Sequence, residues 1–519
     1  MRWTLLAFLL VAVPAAPLRG QCPDGSPPPC AASRSTRPAT ATNSVAVLYF
    51  ENQSSDSADS YLATGLTEAI ITKLGDIPRL TVKSRYVVRR YQGAPAQTDP
   101  AQIGRALGVA YIVTGSVQRA GTRLRVTAEM ARAATGDRAW GQQYERGDGD
   151  VFAIQEDIAR GVATGVAGRL LPAERASLQA RPTRNNEAYD DVLRGDVLLS
   201  QRTPASVLRA IAEYEAAARL DPSMASAWAR IALADALRLD WQWGDGAPPP
   251  DSVLANGLAA ADRALTLDSL SSDGWLARGY LMMFRNPRDF SGAEEGMRRA
   301  IALNPRNAEA WSQLGDFLGL KASGNPARDS VHRAEQEAYR RALEIEPSRP
   351  TTLRNLAGSL DDAHAQLALM ESAMAIDPVN YFNHLARAQL LLLLHDTAQA
   401  RISANDGERL APEGARLEAR GMRANLAISL GDSADARIRV DALLRDLPAT
   451  GPISARPGSE VVQVLVRLGD LERAFAIFAR IPRGAFTWGI MNLGDVPPQA
   501  ITDPRIKRVF DENRPPWAR

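Results

Sequence analysis

The side chains best suited to catalysis are scattered in this 519-residue chain. The four histidines, His332, His364, His384 and His395, all lie in its second half. None stands one helical turn from another with a glutamate beside it, the spacing that gathers zinc ligands. No Gly-x-Ser-x-Gly elbow or Ser-x-x-Lys pair is present to hold an activated serine. The only two cysteines, Cys22 and Cys30, precede every predicted element, which excludes a buried thiol nucleophile. Carboxylate pairs such as Asp361-Asp362 are ordinary in helical loops. The expectation is a non-catalytic protein with no metal and no cofactor.

Binding chemistry has two local candidates. Arg85, Arg89 and Arg90, with Tyr86 and Tyr91, have the make-up of a small anion-binding face, although a solvated helix surface has the same make-up. Asn52, Asp56 and Asp59 lack the spacing of a calcium loop, and capping and turn formation account for them. Over the whole chain 61 basic residues face 59 acidic ones, a formal charge of +2, so no nucleic-acid partner is expected. Only Lys73, Lys83, Lys321 and Lys507 are lysines; the arginine bias reads as base composition rather than function.

The elements that must position any site show a period. A helical stretch runs into Leu/Ile-x-Pro at Pro222, Pro305, Pro347, Pro378 and Pro412, with a shifted copy at Leu447-Pro448. From Pro305 onward these prolines stand 31 to 42 residues apart, and Leu267-Asp268-Ser269 is a proline-free copy in the one wide gap. A repeat of this length is the mark of a helical solenoid. Five residues before each proline or its stand-in is Ala217, Ala264, Ala300, Ala342 or Ala373, then Gly407, where a small side chain lets helices approach. Six residues after it is Trp228, Trp275 or Trp311, then Leu353, His384 and Glu418. Ala232, Gly279 and Gly315 follow the three tryptophans by four residues. The set resembles the tetratricopeptide repeat, over residues 186–482, in about seven helix pairs. Trp241, Trp243 and Pro248–Pro250 mark an insertion in the second pair.

Residues 44–171 have another pattern. Val45–Phe50 is a continuous apolar run, as in a strand covered on both faces. Leu62, Leu66, Ile70 and Leu74 line one helix face. Tyr111–Gln118 and Arg123–Ala131 flank the turn Arg119–Thr122 and form a hairpin, with Leu124, Val126, Ala128 and Met130 alternating inward. A third strand near Arg138–Tyr144 and a helix striped by Ile154, Ile158, Val162, Val166 and Leu170 complete a β-α-β-α-β-β-β-α sandwich. Val45–Asn52, Leu62–Glu68, Leu107–Val117, Thr135-Gly136 with Trp140, and Val151–Gln155 together resemble the TolB-type amino-terminal-like domain. The resemblance covers nearly this whole segment. Relatives of that kind join it to tetratricopeptide repeats and in some cases to a kinase, cyclase or DNA-binding head. Such a head is not expected here, because a signal sequence occupies its place.

That signal sequence is read from Arg2, the apolar Thr4–Val13 and the small Ala15 and Ala16, with cleavage expected between Ala15 and Gln21. An uncleaved anchor is the alternative, and no later segment is apolar enough to span a bilayer. The expected layout is a signal peptide at 1–21, a Pro-rich tether at 22–43, the α/β domain at 44–171, the solenoid at 186–482 and a C-terminal cap at 483–519. In an exported protein Cys22 and Cys30 are expected to form a disulfide, with lipidation of Cys22 as the alternative. The tetratricopeptide resemblance implies a groove for extended peptides, lined by Ser226, Ala229, Asp273, Tyr280, Glu309, Ser312 and Asp316. This set lacks the Lys/Arg row that clamps a C-terminal carboxylate. The expected function is an exported periplasmic or envelope scaffold for protein or peptide partners. The alternative is a sensory module whose α/β domain binds a small molecule or glycan and whose repeats relay occupancy.

Overall fold

The computed structural model describes residues 42–56, 59–89, 91–92, 99–121, 123–147, 151–201, 203–241, 250–285, 291–322, 328–453, 455–481, 503–505 and 508. The expected signal peptide, Cys22, Cys30, nearly all of the tether, Arg90, Trp243 and most of the C-terminal segment lie outside these residues.

The first part is a mixed sheet with helices against it. In chain order it holds β1 (Ser44–Val47), β2 (Glu51–Asn52), α1 (Ser60–Gly75), β3 (Thr81–Val82) and α2 (Arg85–Arg89). Then follow α3 (Pro100–Leu107), β4 (Tyr111–Ala120), β5 (Arg123–Arg132), β6 (Arg138–Gly147) and α4 (Val151–Ala167). The sheet order is β3-β1-β4-β5-β6, with β1 parallel to both neighbours and β4 to β6 an antiparallel meander. Ala120 pairs with Arg123 across the hairpin, and Gly121 at φ +60° supplies the left-handed turn residue there. The predicted strand 45–50 is broken. Val47 pairs with Val113 but Glu51 pairs with Ser116, so one extra residue bulges out and β2 resumes alongside β4. The bulge lays the Phe50 ring on Gly115, where a Cβ would stand 2.6 Å from the ring, and only glycine leaves that room.

A short link helix, α5 (Pro172–Gln179), leads, among the described residues, into eight helix pairs rather than about seven. The pairs are α6 (Asn186–Ser200) with α7 (Pro204–Leu220), α8 (Ala225–Trp241) with α9 (Pro250–Leu267), and α10 (Ser272–Arg285) with α11 (Ser291–Leu303). Next are α12 (Ala308–Ala322) with α13 (Arg328–Ile345), α14 (Pro350–Gly358) with α15 (Ala363–Ile376), and α16 (Tyr381–Leu393) with α17 (Thr397–Leu410). The last are α18 (Arg416–Ser429) with α19 (Ser433–Asp446) and α20 (Ala455–Arg467) with α21 (Leu471–Phe478). Asn185, Thr203, Asp362, Asn380, Asp396, Asp432 and Asp470 start their helices by accepting hydrogen bonds from first-turn N–H groups. At the far end Arg505 lies 4.1 Å from the Phe475 ring centre and pairs with Glu472 at 3.0 Å, so the described part of the C-terminal segment covers α21.

Sheet and solenoid share one apolar core that runs from Val45 to Ala338. Phe152 of α4 stacks on Tyr189 of α6 with ring centres 3.9 Å apart, and Tyr189 Oη donates to Gln155 at 2.9 Å. Gly65 of α1 lies against Leu193 of α6, where a Cβ would stand 3.1 Å from the leucine Cβ. Tyr61 Oη donates to Asp190 at 2.8 Å, and Arg194 covers the Tyr61 ring. The link helix is tied back as well. Arg79 holds Glu174 through two bonds of 2.8 and 2.6 Å, and Lys73 Nζ donates to the Leu178 carbonyl at 2.7 Å.

The Arg79 guanidinium, followed by the Leu171 N–H, holds the Glu174 carboxyl down at about 2. A carboxyl depressed in the folded state adds stability above its unfolded pKa near 4.5, and that stability is lost as pH falls towards 2. Glu174→Gln should therefore lower the thermal midpoint at neutral pH. The gap to wild type should close as pH falls from 4.5 towards 2, as followed by circular dichroism.

Candidate functional site

The surface formed by the first helices of successive pairs is the candidate site, and a bond that recurs at four of its turns helps set its geometry. Trp228, Trp275 and Trp311 donate their indole N–H to the carbonyls of Pro222, Ser269 and Pro305, six residues earlier, at 3.1, 3.0 and 3.0 Å. His384, at the same register, places Nε2 2.8 Å from the Pro378 carbonyl. Each ring pins the turn between one pair and the next by meeting a carbonyl of that turn. The small residues expected at the helix contacts are there. Ala217, Ala264, Ala300, Ala342 and Ala373 are fully buried. Gly407 is a requirement rather than a lapse, since a Cβ there would stand 2.6 Å from Leu385 Cγ.

A second device recurs on the inner face. The Tyr214 ring lies on Gly195, and its hydroxyl donates to Asp196 at 2.8 Å; Tyr339 lies on Gly315 and donates to Asp316 at 2.7 Å. A Cβ at either glycine would stand 2.4 Å from the tyrosine ring. The aspartate then reaches the next first helix. Arg230 grips Asp196 at 2.6 and 3.0 Å, whereas Asn355 donates to Asp316 at 2.7 Å. These Gly-Asp…Tyr sets were not singled out from the sequence. Their signal is a Gly-Asp pair in a first helix and a tyrosine in the second helix that follows.

The groove residues inferred from the resemblance are mostly consumed by this packing. Ala229, Tyr280 and Ser312 are buried at 1, 2 and 3% exposure, so they cannot line an open wall. Tyr280 bonds Asp240, and burial pushes its phenol well above the usual range. Ser312 meets Thr352 of α14 at 2.9 Å, and Glu309 is paired with Arg349. Ser226 is half-buried with its Oγ unbonded. Burial first, and then the Asp240 carboxylate, push Asp316 up to about 7 against the pull of Tyr339, Asn355 and Arg354. Asp273 alone of the seven is exposed, accepting from Asn307 at 3.2 Å.

The arginine face is turned to an internal use. Arg85 and Arg89 each stand 3.5 Å from Glu68, a largely buried carboxylate of α1 that also accepts from Tyr49 at 2.9 Å. Arg89 further donates to Ser200 of α6 at 3.0 Å. Two charges that read as an anion site thus neutralise a buried acid and tie the sheet domain to the solenoid. Among the described residues no three His, Cys, Asp or Glu side chains gather as a metal site, and no helix is long and apolar enough to cross a membrane.

No protein-family model matches the chain. A Rhizobium meliloti (strain 1021) protein named "Putative adenylate cyclase 3" is 32% identical over 253 residues, 49% of this chain. The match spans 41% of that relative's length. Among solved structures, pilF of Pseudomonas aeruginosa is similar at 17% identity over 44% of this chain and 94% of its own, with a TM-score of 0.33. A tetratricopeptide repeat protein from Parabacteroides merdae aligns at 11% identity over 50% of this chain and 93% of its own, TM-score 0.31. TolB from Acinetobacter baumannii aligns at 17% identity over 24% of this chain and 28% of its own, TM-score 0.19. These superpositions are loose, and the repeat assignment stands on the register of this chain itself.

Trp275→Phe keeps an aromatic side chain but removes the N–H and part of the indole's apolar area, so it should cost about 1 kcal/mol for the lost hydrogen bond, plus the lost area. The check is urea unfolding of Trp275→Phe beside Trp275→His, which should recover the bond while losing apolar area.

Proposed function

We propose that the protein is an exported, non-catalytic scaffold that binds extended segments of protein partners along the first helices of its solenoid. The observation that carries this reading is the row of eight helix pairs, pinned at three successive turns by indole bonds and closed at one end by the α/β domain. Such an array has a stiff, long surface, as segment binding requires. We read the α/β domain as TolB-type, from the motifs around Val45–Asn52 and Leu107–Val117. Its part is to cap the array, because α1 and α4 cover the α6 face that a preceding repeat would otherwise cover. The short apolar segment before Ala15 supports delivery to the periplasm or envelope.

The open positions of the surface differ from those first inferred. Asp273 on α10 and Thr351 on α14 share one register, two residues before Trp275 and Leu353, and both are exposed. Gln389 on α16 is exposed at the register that Asp316 holds on α12. Changing Asp273 and Gln389 to arginine leaves the buried seams untouched. The test is photo-crosslinking in native cell envelopes with a crosslinking amino acid at Thr351, in chains with and without Asp273→Arg and Gln389→Arg. Specific protein adducts lost in the altered chain are the expected result. Adducts unchanged by the substitutions, or none at all, would overturn the reading.

A further inference from the structure

Between α13 and α16 the apolar core of the solenoid is interrupted. The first cluster ends at Ala338 on α13, and the next begins at Tyr381 on α16. Leu353, Leu356 and Met370 of the pair between them are buried yet belong to neither cluster. That pair also has the shortest first helix of the eight, the nine-residue α14. In place of shared apolar packing, α12 and α14 are joined by a polar seam. Glu309 pairs with Arg349, Ser312 meets Thr352 at 2.9 Å, and Asp316 takes Asn355 at 2.7 Å. Gln336 of α13 adds a bond of 2.7 Å to the Ser359 carbonyl just past α14. On the far side Arg354 reaches the Asn383 amide at 3.5 Å and covers the Phe382 ring. A joint held by hydrogen bonds opens to water at smaller cost than one held by buried apolar area.

We propose that the α14/α15 pair is a hinge of the superhelix and that the protonation state of Asp316 sets how firmly it is closed. The two Gly-Asp…Tyr sets argue for this by their difference. Asp196 meets a guanidinium at the next helix, a partner that stays charged. Asp316, at the same register, meets the neutral amide of Asn355, with Asp240 of α8 as a second carboxylate in its field. Other charged or titratable groups facing it or its tyrosine partner are Tyr280 on α10, Glu335 and Tyr339 on α13, and Arg354 on α14. Glu335 is itself held by His332 at 2.7 Å.

The direction follows from linkage. In the closed seam the Asp316 carboxyl sits near 7, and opening to water returns it towards 3.8. The closed form therefore binds the proton more tightly, and its advantage declines as pH rises from 3.8 through 7. Full exposure on opening would raise the open fraction about thirtyfold between roughly pH 5.5 and pH 8.

The test is hydrogen exchange of the full chain, read by mass spectrometry and corrected for the intrinsic pH dependence of amide exchange. Amides of α14 and α15 should exchange on the order of tenfold faster or more at the higher pH, with α8 amides unchanged. Asp316→Asn, a neutral isostere, should hold the hinge closed and abolish the dependence. Asp240→Asn should move its midpoint to lower pH, and it decides the matter if Asp316→Asn fails to fold. Wild-type exchange without pH dependence, or a dependence that survives Asp316→Asn and so arises from the His332–Glu335 pair, would overturn the proposal. An unmoved midpoint in Asp240→Asn would do the same.

Discussion

The structure depends first on how α6 is covered. A helix pair in a solenoid is apolar on both stacking faces, and the terminal pair needs a lid or its outer face meets water. Here the lid is the α/β domain. Phe152 stacked on Tyr189 and Gly65 pressed on Leu193 make the sheet domain and the first pairs one continuous core. The polar contacts across the junction, Tyr61 to Asp190 and Arg89 to Ser200, fix orientation more than they add energy. Every later pair takes its position from the one before it, so the arrangement of the array originates at this joint.

Along the array, stiffness is built from two side-chain devices and is lower around α14. Indole-to-carbonyl bonds pin three of the turns, and a tyrosine laid on a glycine brings the paired helices together at α6/α7 and α12/α13. Where the apolar core lapses around α14, side-chain hydrogen bonds take over. Stiffness and local compliance are both of use to a surface that holds extended partners. A stiff wall lowers the ordering cost of binding, and a joint around α14 lets the parts on either side adjust.

Much of the fold was legible because helix pairs and strands announce themselves through spacing. The prolines marked the turns, the tryptophans marked the first helices, and alternation in Leu124–Met130 marked the wet and dry faces of β5. The bulge at Leu48–Phe50 was not legible, because an apolar run does not record which residue lies over Gly115. The site was read least well. Arg85 and Arg89 looked free because Glu68 lies on another helix, and Tyr280 and Ser312 fell at groove register but face the neighbouring helix. A register names the face of a helix, and only the packing decides whether that face is open.

The most direct test of the common core is a substitution on the solenoid side with a readout on the sheet side. Tyr189→Ala removes the ring that stacks on Phe152, a change of the kind that costs about 3–5 kcal/mol in a well-packed core. Residue-resolved hydrogen exchange should then show α1 and α4 losing protection together with α6 and α7. Loss confined to α6 and α7, with α1 and α4 as protected as in the unaltered chain, would mean that the sheet domain and the solenoid fold separately.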